Sequence, residues 1–193
     1  NYMLDGQRGI RNPLGMHTAR LEVETHIISG ASDLVDHLTL AVEQAGVNVV
    51  SLVLVPIASA QAVLSEDEME RGVALVDVGG GTTDIVVYSR GTVFYNAALP
   101  IGGFQFTNDI RVTYSTTHEA AEQAKLEIGN TEPATVKANE EVLLPIEGRA
   151  SHRQVAVREI CQVIRERAQE LVRLVRIKLH ESGQSENSGI RLG

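Results

Sequence analysis

The chain has 193 residues with 17 Lys and Arg against 25 Asp and Glu, so its formal net charge is −8. That sign is opposite to what a nucleic-acid-binding protein requires, and no nucleic-acid partner is expected. The single cysteine, Cys161, excludes an internal disulfide and fits a reducing cytoplasm. The longest apolar stretch, residues 49–64, is interrupted by Pro56 and polar residues and is shorter than the roughly 20 apolar residues of a membrane-spanning helix.

The first residues predict a strand, a helix and a second strand. Residues 20–28 alternate apolar and polar side chains, which is typical of a half-buried strand. A helix is expected from Ser32, a natural N-cap, to Gly46, which suits the left-handed position after a helix. The β-branched and aliphatic run of residues 49–55 then predicts a strand buried on both faces.

The middle of the chain predicts a β-meander. A short alanine-rich helix over residues 57–64 and a solvated acidic linker around residues 66–70 precede it. Apolar runs separated by glycine-rich turns then predict three strands, at residues 72–78, 83–89 and 92–99.

The remaining residues predict mainly helices. One helix is expected over residues 104–114, and a capping box from Thr116 to Glu119 should open another that ends at Gly129. Residues 134–146 predict one or two short strands. The last element is a long amphipathic helix over residues 155–181, with Cys161 on its apolar stripe.

The segment Asp77-Val-Gly-Gly-Gly-Thr-Thr-Asp84, between two predicted strands, indicates ligand chemistry. Three successive glycines let the backbone approach a ligand closely, and their N–H groups can surround an anion such as phosphate. Thr82 and Thr83 would add hydroxyl donors, and Asp77 could hold the water shell of Mg²⁺. A hairpin without a ligand is the alternative, but an Asn-Gly pair suffices for such a turn. The complete segment therefore favours a phosphate site.

This segment resembles the second phosphate loop of the actin-like ATPase superfamily, and the chain is similar to the FtsA family of bacterial cell-division proteins. The likeness also includes Gly9-Ile-Arg-Asn-Pro-Leu-Gly-Met16, Pro100-Ile-Gly-Gly103 and Glu119-Ala-Ala-Glu-Gln-Ala-Lys125, in the family's order. It implies an α/β, actin-like (ribonuclease H-like) ATPase fold. Part of the FtsA-specific accessory (SHS2-type) subdomain is expected at residues 1–50, a connecting segment at 51–71 and the second actin-like half at 72–193.

The resemblance further implies a site for ATP and Mg²⁺. Asp77 would be the catalytic residue that organises Mg²⁺ through water, and Glu122 and Lys125 would bracket the ribose and base. For the last two, an ordinary surface ion pair is the alternative and would be preferred if the glycine loop were absent. A plain turn explains Gly102 and Gly103 nearly as well. The implied cofactor-binding residues are Asp77, Gly79, Gly80, Gly81, Thr82, Thr83, Gly102, Gly103, Glu122 and Lys125.

A partner site is implied in the basic region between Arg149 and Lys178, which has eight basic and three acidic side chains, a local charge of +5. In the FtsA family the corresponding subdomain receives the acidic C-terminal tail of FtsZ, and the resemblance singles out Arg167 and Glu170. An ordinary solvated face, with arginine stems lying over apolar residues, remains the alternative.

The function implied by the resemblance is an ATP-binding protein, a slow ATPase at most, that anchors and organises FtsZ filaments for Z-ring assembly and septum formation. It would be cytoplasmic and peripheral on the inner face of the cell membrane at the division site. Its other partners would be itself in actin-like filaments, later division proteins through the small subdomain, and the membrane through a C-terminal helix. That helix, the first phosphate loop and the adenosine motif are expected outside this chain, which looks like a fragment and would be inactive alone. The alternative is another actin-superfamily ATPase: a DnaK-type chaperone, a pilus-assembly actin homologue or a small-molecule kinase.

Overall fold

The structure, a computed structural model, describes residues 2–10, 12–183 and 191–192 and has a mixed α/β architecture. Its strands are β1 (Tyr2–Leu4), β2 (Gln7–Ile10), β3 (Leu21–Val23), β4 (Val73–Val78), β5 (Thr83–Ser89), β6 (Thr92–Leu99), β7 (Glu141–Pro145), β8 (His152–Ala156) and β9 (Arg191–Leu192). Its helices are α1 (Ser32–Gln44), α2 (Val55–Val63), α3 (Glu66–Arg71), α4 (Gly103–Tyr114), α5 (His118–Ile128) and α6 (Val157–Glu181), with a short 3₁₀ turn at Pro133–Thr135.

The predicted meander is confirmed. Strands β4, β5 and β6 are neighbours in a four-stranded sheet of order β6-β5-β4-β9, and β9 runs parallel to β4. The chain divides into two compact units. The first contains the described residues up to Leu75 together with Val86–Asn96 and β9, and the second contains Val76–Ile85 and the described residues from Ala97 to Gly183.

The first unit contains a small antiparallel sheet and a separate apolar core. Strand β1 lies between β2 and β3, with Tyr2 opposite Val23. Of the predicted strand at residues 20–28, only Leu21–Val23 has strand pairing. The core is formed by α2, α3, β4 and β5 through Ala60, Met69, Val73, Leu75, Val86 and Tyr88.

The prediction of a buried strand at residues 49–55 was wrong. These residues form no strand, and α2 begins at Val55. Val50 is 91% exposed, and Leu52 and Val53 are also exposed. A β-branched run needs neighbouring strands to pair its backbone and cover its side chains, and no described residue pairs with this segment in a sheet. Helix α1 likewise has no buried residue.

The acidic cluster that we expected to be a linker is the helix α3. Ser65 is its N-cap, and the two hydrogen bonds of a capping box are present. The Glu68 backbone N–H donates to the Ser65 hydroxyl, and the Ser65 backbone N–H donates to the Glu68 carboxylate. The acidic side chains in the first turn also interact favourably with the positive end of the helix dipole. The acidic residues that the sequence analysis assigned to a solvated linker therefore stabilise the N-terminus of a helix.

The second unit packs α4, α5 and α6 with the β7–β8 hairpin. Its core consists of Ile110, Tyr114, Ala121, Ala124, Leu144, Val155, Ile160 and Ile164. The N-cap of α5 is Thr117 rather than Thr116, whose hydroxyl donates to the Pro145 carbonyl at 2.7 Å. Strand β8 was not predicted, because its residues were assigned in part to the following helix. Cys161 is fully buried on α6 as expected, and burial raises the pKa of its thiol.

Candidate functional site

The turn between β4 and β5 has open space at its central glycines. Gly79 closes the turn, because its N–H donates to the Thr82 carbonyl at 2.9 Å. A Cβ atom built on Gly80 or Gly81 would meet nothing within 4 Å, and neither residue has a left-handed backbone. Neither local packing nor backbone conformation therefore requires glycine at these two positions. The space that a side chain would fill is available for a ligand that approaches the backbone.

A second glycine turn, at Gly102 and Gly103, packs directly on the first. The N–H of Gly103 donates to the Gly79 carbonyl at 3.0 Å, and the N–H of Phe104 donates to the Gly80 carbonyl at 2.7 Å. A Cβ atom on Gly102 would lie 2.5 Å from the Gly79 oxygen, well inside van der Waals contact. Gly102 is extended, with φ −151°, so the close approach of the two turns is what requires glycine there.

The polar residues of the first turn occupy different environments. Thr83 is fully buried, and its hydroxyl donates to the Ile101 carbonyl at 2.7 Å, next to the second turn. Thr82 is exposed, and its hydroxyl donates to Asp84 at 3.3 Å. Asp77 is half-buried near the end of β4. The Thr83 hydroxyl is therefore engaged within the fold, whereas Thr82 lies at the exposed side of the turn.

Glu122 and Lys125 are joined to the second turn rather than forming an isolated surface pair. Lys125 Nζ donates to Glu122 Oε2 at 2.7 Å, to Thr107 Oγ1 at 2.9 Å and to the Gly103 carbonyl at 3.3 Å. The Thr107 hydroxyl donates in turn to Glu122. The hydrogen bonds from Lys125 and Thr107 lower the pKa of Glu122, so this carboxylate is ionised at neutral pH.

Thr107 is the residue of this group that the sequence did not single out. It is fully buried on α4, four residues after Gly103 and therefore one helical turn from it. That spacing was the available signal, but a buried threonine on a helix is common and indicates nothing by itself. With Thr107 included, one chain of contacts runs from the first glycine turn through the second to α5.

Arg167 and Glu170 also meet, together with an acidic residue of α4. Arg167 Nε and Nη2 donate to the two carboxylate oxygens of Asp109 at 2.6 and 2.9 Å, and Nη1 donates to Glu170. Asp109 raises the pKa of Arg167 above its already high value. The Arg167 side chain is 23% exposed and that of Glu170 is 49% exposed. The arginine predicted to be a partner contact is thus held in a fixed orientation by the fold.

The site suits Mg²⁺ only when phosphate groups supply part of its coordination. No group of three or more His, Cys, Asp or Glu side chains among the described residues could hold a metal ion. Asp77 supplies carboxylate oxygens, which are ligands that Mg²⁺ prefers, and Mg²⁺ commonly keeps several waters and takes its other ligands from substrate phosphates.

Two family profiles match the chain. The profile described as "Cell division protein FtsA" matches residues 74–191, more than half of the chain. The profile described as "SHS2 domain inserted in FTSA" matches residues 1–29.

Curated relatives agree with these profiles. The chain is 38% identical over 183 residues to the cell division protein FtsA of Neisseria meningitidis serogroup B, which covers 95% of this chain and 44% of that protein. It is 36% identical over 174 residues to FtsA of Escherichia coli K12, which covers 90% of this chain and 41% of that protein. The chain therefore spans less than half the length of these relatives.

A solved structure shares the fold. MreB 5 of Spiroplasma citri, crystallised with AMPPNP, matches with a TM-score of 0.63 and 23% identity over 85% of this chain and 54% of that chain. The expected α/β, actin-like fold is thereby confirmed.

Proposed function

This chain belongs to the FtsA family of cell division proteins, and we propose that it carries the nucleotide-binding turns and the FtsZ-docking helix of a protein that anchors FtsZ filaments to the cytoplasmic membrane. One observation carries the proposal: two glycine turns packed on each other and tied by Lys125 to a carboxylate on α5. The first turn leaves room at Gly80 and Gly81 for an anion.

We assign the ligand at this site as Mg·ATP. The backbone N–H groups of Gly80 and Gly81 donate to phosphate oxygens, and the exposed Thr82 adds a hydroxyl donor. Asp77 holds water in the Mg²⁺ shell, and Mg²⁺ offsets the charge of the phosphates. Thr83 acts indirectly, because its hydroxyl holds Ile101 beside the second turn.

Glu122 and Lys125 have separate roles in this assignment. Lys125 holds the Gly103 carbonyl and orients Glu122. The ionised Glu122 carboxylate, which is 38% exposed, accepts hydrogen bonds from the ribose hydroxyls. This chain provides one wall of the site, and we assign the other wall to further residues of the family's longer proteins. Turnover by this chain alone should be negligible, because charge that develops on the phosphates is stabilised from one side only.

The docking surface is the exposed face of α6 around Arg167 and Glu170. It lies within the region of local charge +5 between Arg149 and Lys178, which is complementary to an acidic peptide such as the C-terminal tail of FtsZ. Binding of that tail joins the FtsZ filament to this protein, and nucleotide-dependent filaments of this protein organise it. Residues 1–50 form part of the accessory subdomain and contact later division proteins.

No helix in the part of the chain that the structure describes is long and apolar enough to cross a membrane.

The ribose assignment predicts the effect of Glu122→Ala. Loss of a charged hydrogen bond to the nucleoside should weaken Mg·ATP binding by about 1.5–3 kcal/mol, measured by isothermal titration calorimetry. The matched control is Glu119→Ala, which removes the same charge from an exposed position of the same helix and should leave affinity unchanged. Equal losses in both variants would show a general charge effect and contradict the ribose contact.

A further inference from the structure

Helix α4 contacts the nucleotide site and the docking helix through opposite sides. Thr107 contacts Glu122 and Lys125 of α5, and Asp109 contacts Arg167 of α6. Thr107 and Asp109 are two positions apart, which corresponds to a rotation of about 200° around an α-helix. Their side chains therefore leave α4 in nearly opposite directions. The same helix begins at Gly103, which is bonded to the first glycine turn.

The Asp109–Arg167 contact has the geometry of a rigid joint. Two parallel N–H to carboxylate bonds of 2.6 and 2.9 Å fix both the position and the plane of the guanidinium group. Both side chains are about three-quarters covered, at 23% and 25% exposure. An arginine that is already oriented loses less side-chain entropy when a partner binds. Only Nη1 points to the more exposed Glu170, so this is the side that a partner can reach.

We propose that Asp109 is a positioning residue, which holds Arg167 in the orientation that binds the FtsZ tail. Through Asp109 and α4, nucleotide bound at the glycine turns increases the affinity of the docking surface for the tail. This inference rests on the proposed docking function. ATP at the glycine turns immobilises the start of α4, which increases the fraction of molecules in which Asp109 and Arg167 are joined as in the structure, and the tail then binds more tightly. Because such coupling is reciprocal, the tail must also strengthen ATP binding by the same factor.

The decisive variant is Asp109→Asn, which keeps the shape of the side chain and removes its charge. Electrostatics alone predicts tighter binding of an acidic peptide, because the surface becomes less negative. The positioning role predicts the opposite, a loss of about threefold to tenfold in affinity. The matched control is Glu166→Gln, which removes one negative charge from α6 at a residue whose carboxylate accepts a hydrogen bond from Gln162 of the same helix, and it should leave affinity unchanged or slightly higher.

A second variant tests the joint from the other side. Arg167→Lys keeps the positive charge but cannot form the two parallel bonds. Affinity for a fluorescently labelled FtsZ tail peptide is measured by anisotropy with and without saturating Mg·ATP. The unsubstituted protein should bind the peptide at least about fivefold more tightly with nucleotide than without it. This ratio of the two affinities should fall to about one in both Asp109→Asn and Arg167→Lys.

The outcomes separate the two proposals. If Arg167→Ala leaves peptide binding unchanged, the docking function itself is wrong. If Arg167→Ala weakens binding but Asp109→Asn behaves like Glu166→Gln and retains the nucleotide ratio, docking stands and the positioning role of Asp109 is overturned. Thermal unfolding of each variant identifies any loss that is due to misfolding, and Arg167→Lys then provides the test without a change in α4.

Discussion

Replacement of Gly80 by valine should abolish measurable binding of Mg·ATP while leaving the protein folded. A Cβ atom at this position meets nothing within 4 Å, and the backbone is not left-handed, so the free energy of unfolding should change little. The added branches occupy the space assigned to the phosphates. Loss of two charged hydrogen bonds, each worth about 1.5–3 kcal/mol, would reduce affinity at least about a hundredfold, measured by isothermal titration calorimetry.

The matched control for this variant is Gly30→Val. Gly30 also lacks a left-handed backbone, and the nearest atom to a Cβ there is a side-chain carbon of Val35 at 3.9 Å. It belongs to the first unit and is not one of the residues assigned to the nucleotide, so its replacement should leave ATP affinity unchanged. Unchanged affinity in Gly80→Val as well would mean that the nucleotide does not lie on this turn.

Reversal of charge at Arg167 should have the largest effect on docking. Arg167→Glu replaces an attractive contact with repulsion toward an acidic tail, and it places a carboxylate beside Asp109 and Glu170. Loss of a hydrogen-bonded charge pair typically costs 2–5 kcal/mol, which corresponds to a decrease in peptide affinity of roughly thirtyfold or more. Fluorescence anisotropy at several salt concentrations gives the affinity, and binding by the unsubstituted protein should weaken as salt rises above about 0.15 M, where the Debye length is about 8 Å.

Arg173→Glu is the control for this reversal, because it makes the same charge change at an exposed position of the same helix. It should weaken docking only modestly, through the general field of the basic region. The docking assignment fails if the two reversals weaken binding equally. It fails also if the peptide binds independently of salt and of both substitutions.

The glycine turns and the α5 pair could be predicted because their chemistry is local in sequence. The segment from Asp77 to Asp84 places three glycines between two apolar runs, and three-residue spacing puts Glu122 and Lys125 on one face of a helix. Thr107 and Asp109 could not be predicted in the same way. Their partners lie 15 and 58 residues away in the sequence, and only the packing of α4 between α5 and α6 brings them together.

The two wrong predictions of secondary structure also have specific causes. The run at residues 49–55 has the composition of a buried strand, but composition does not supply the neighbours that a strand needs, and Val50 remains 91% exposed. The acidic side chains of residues 65–71 indicated solvent exposure, and all four of them are exposed, but exposure does not exclude a helix. The capping box at Ser65 and Glu68 was the signal that decided this element.

The most direct test of the nucleotide site is amide hydrogen exchange of the protein, measured by mass spectrometry with and without Mg·ATP. With Mg·ATP bound, we expect slower exchange in peptides that contain the two glycine turns, residues 79–82 and 102–104, and in the part of α5 that contains Glu122 and Lys125. Binding of Mg·ATP without protection of either glycine turn, or with protection confined to other segments, would contradict the assignment of this site to nucleotide.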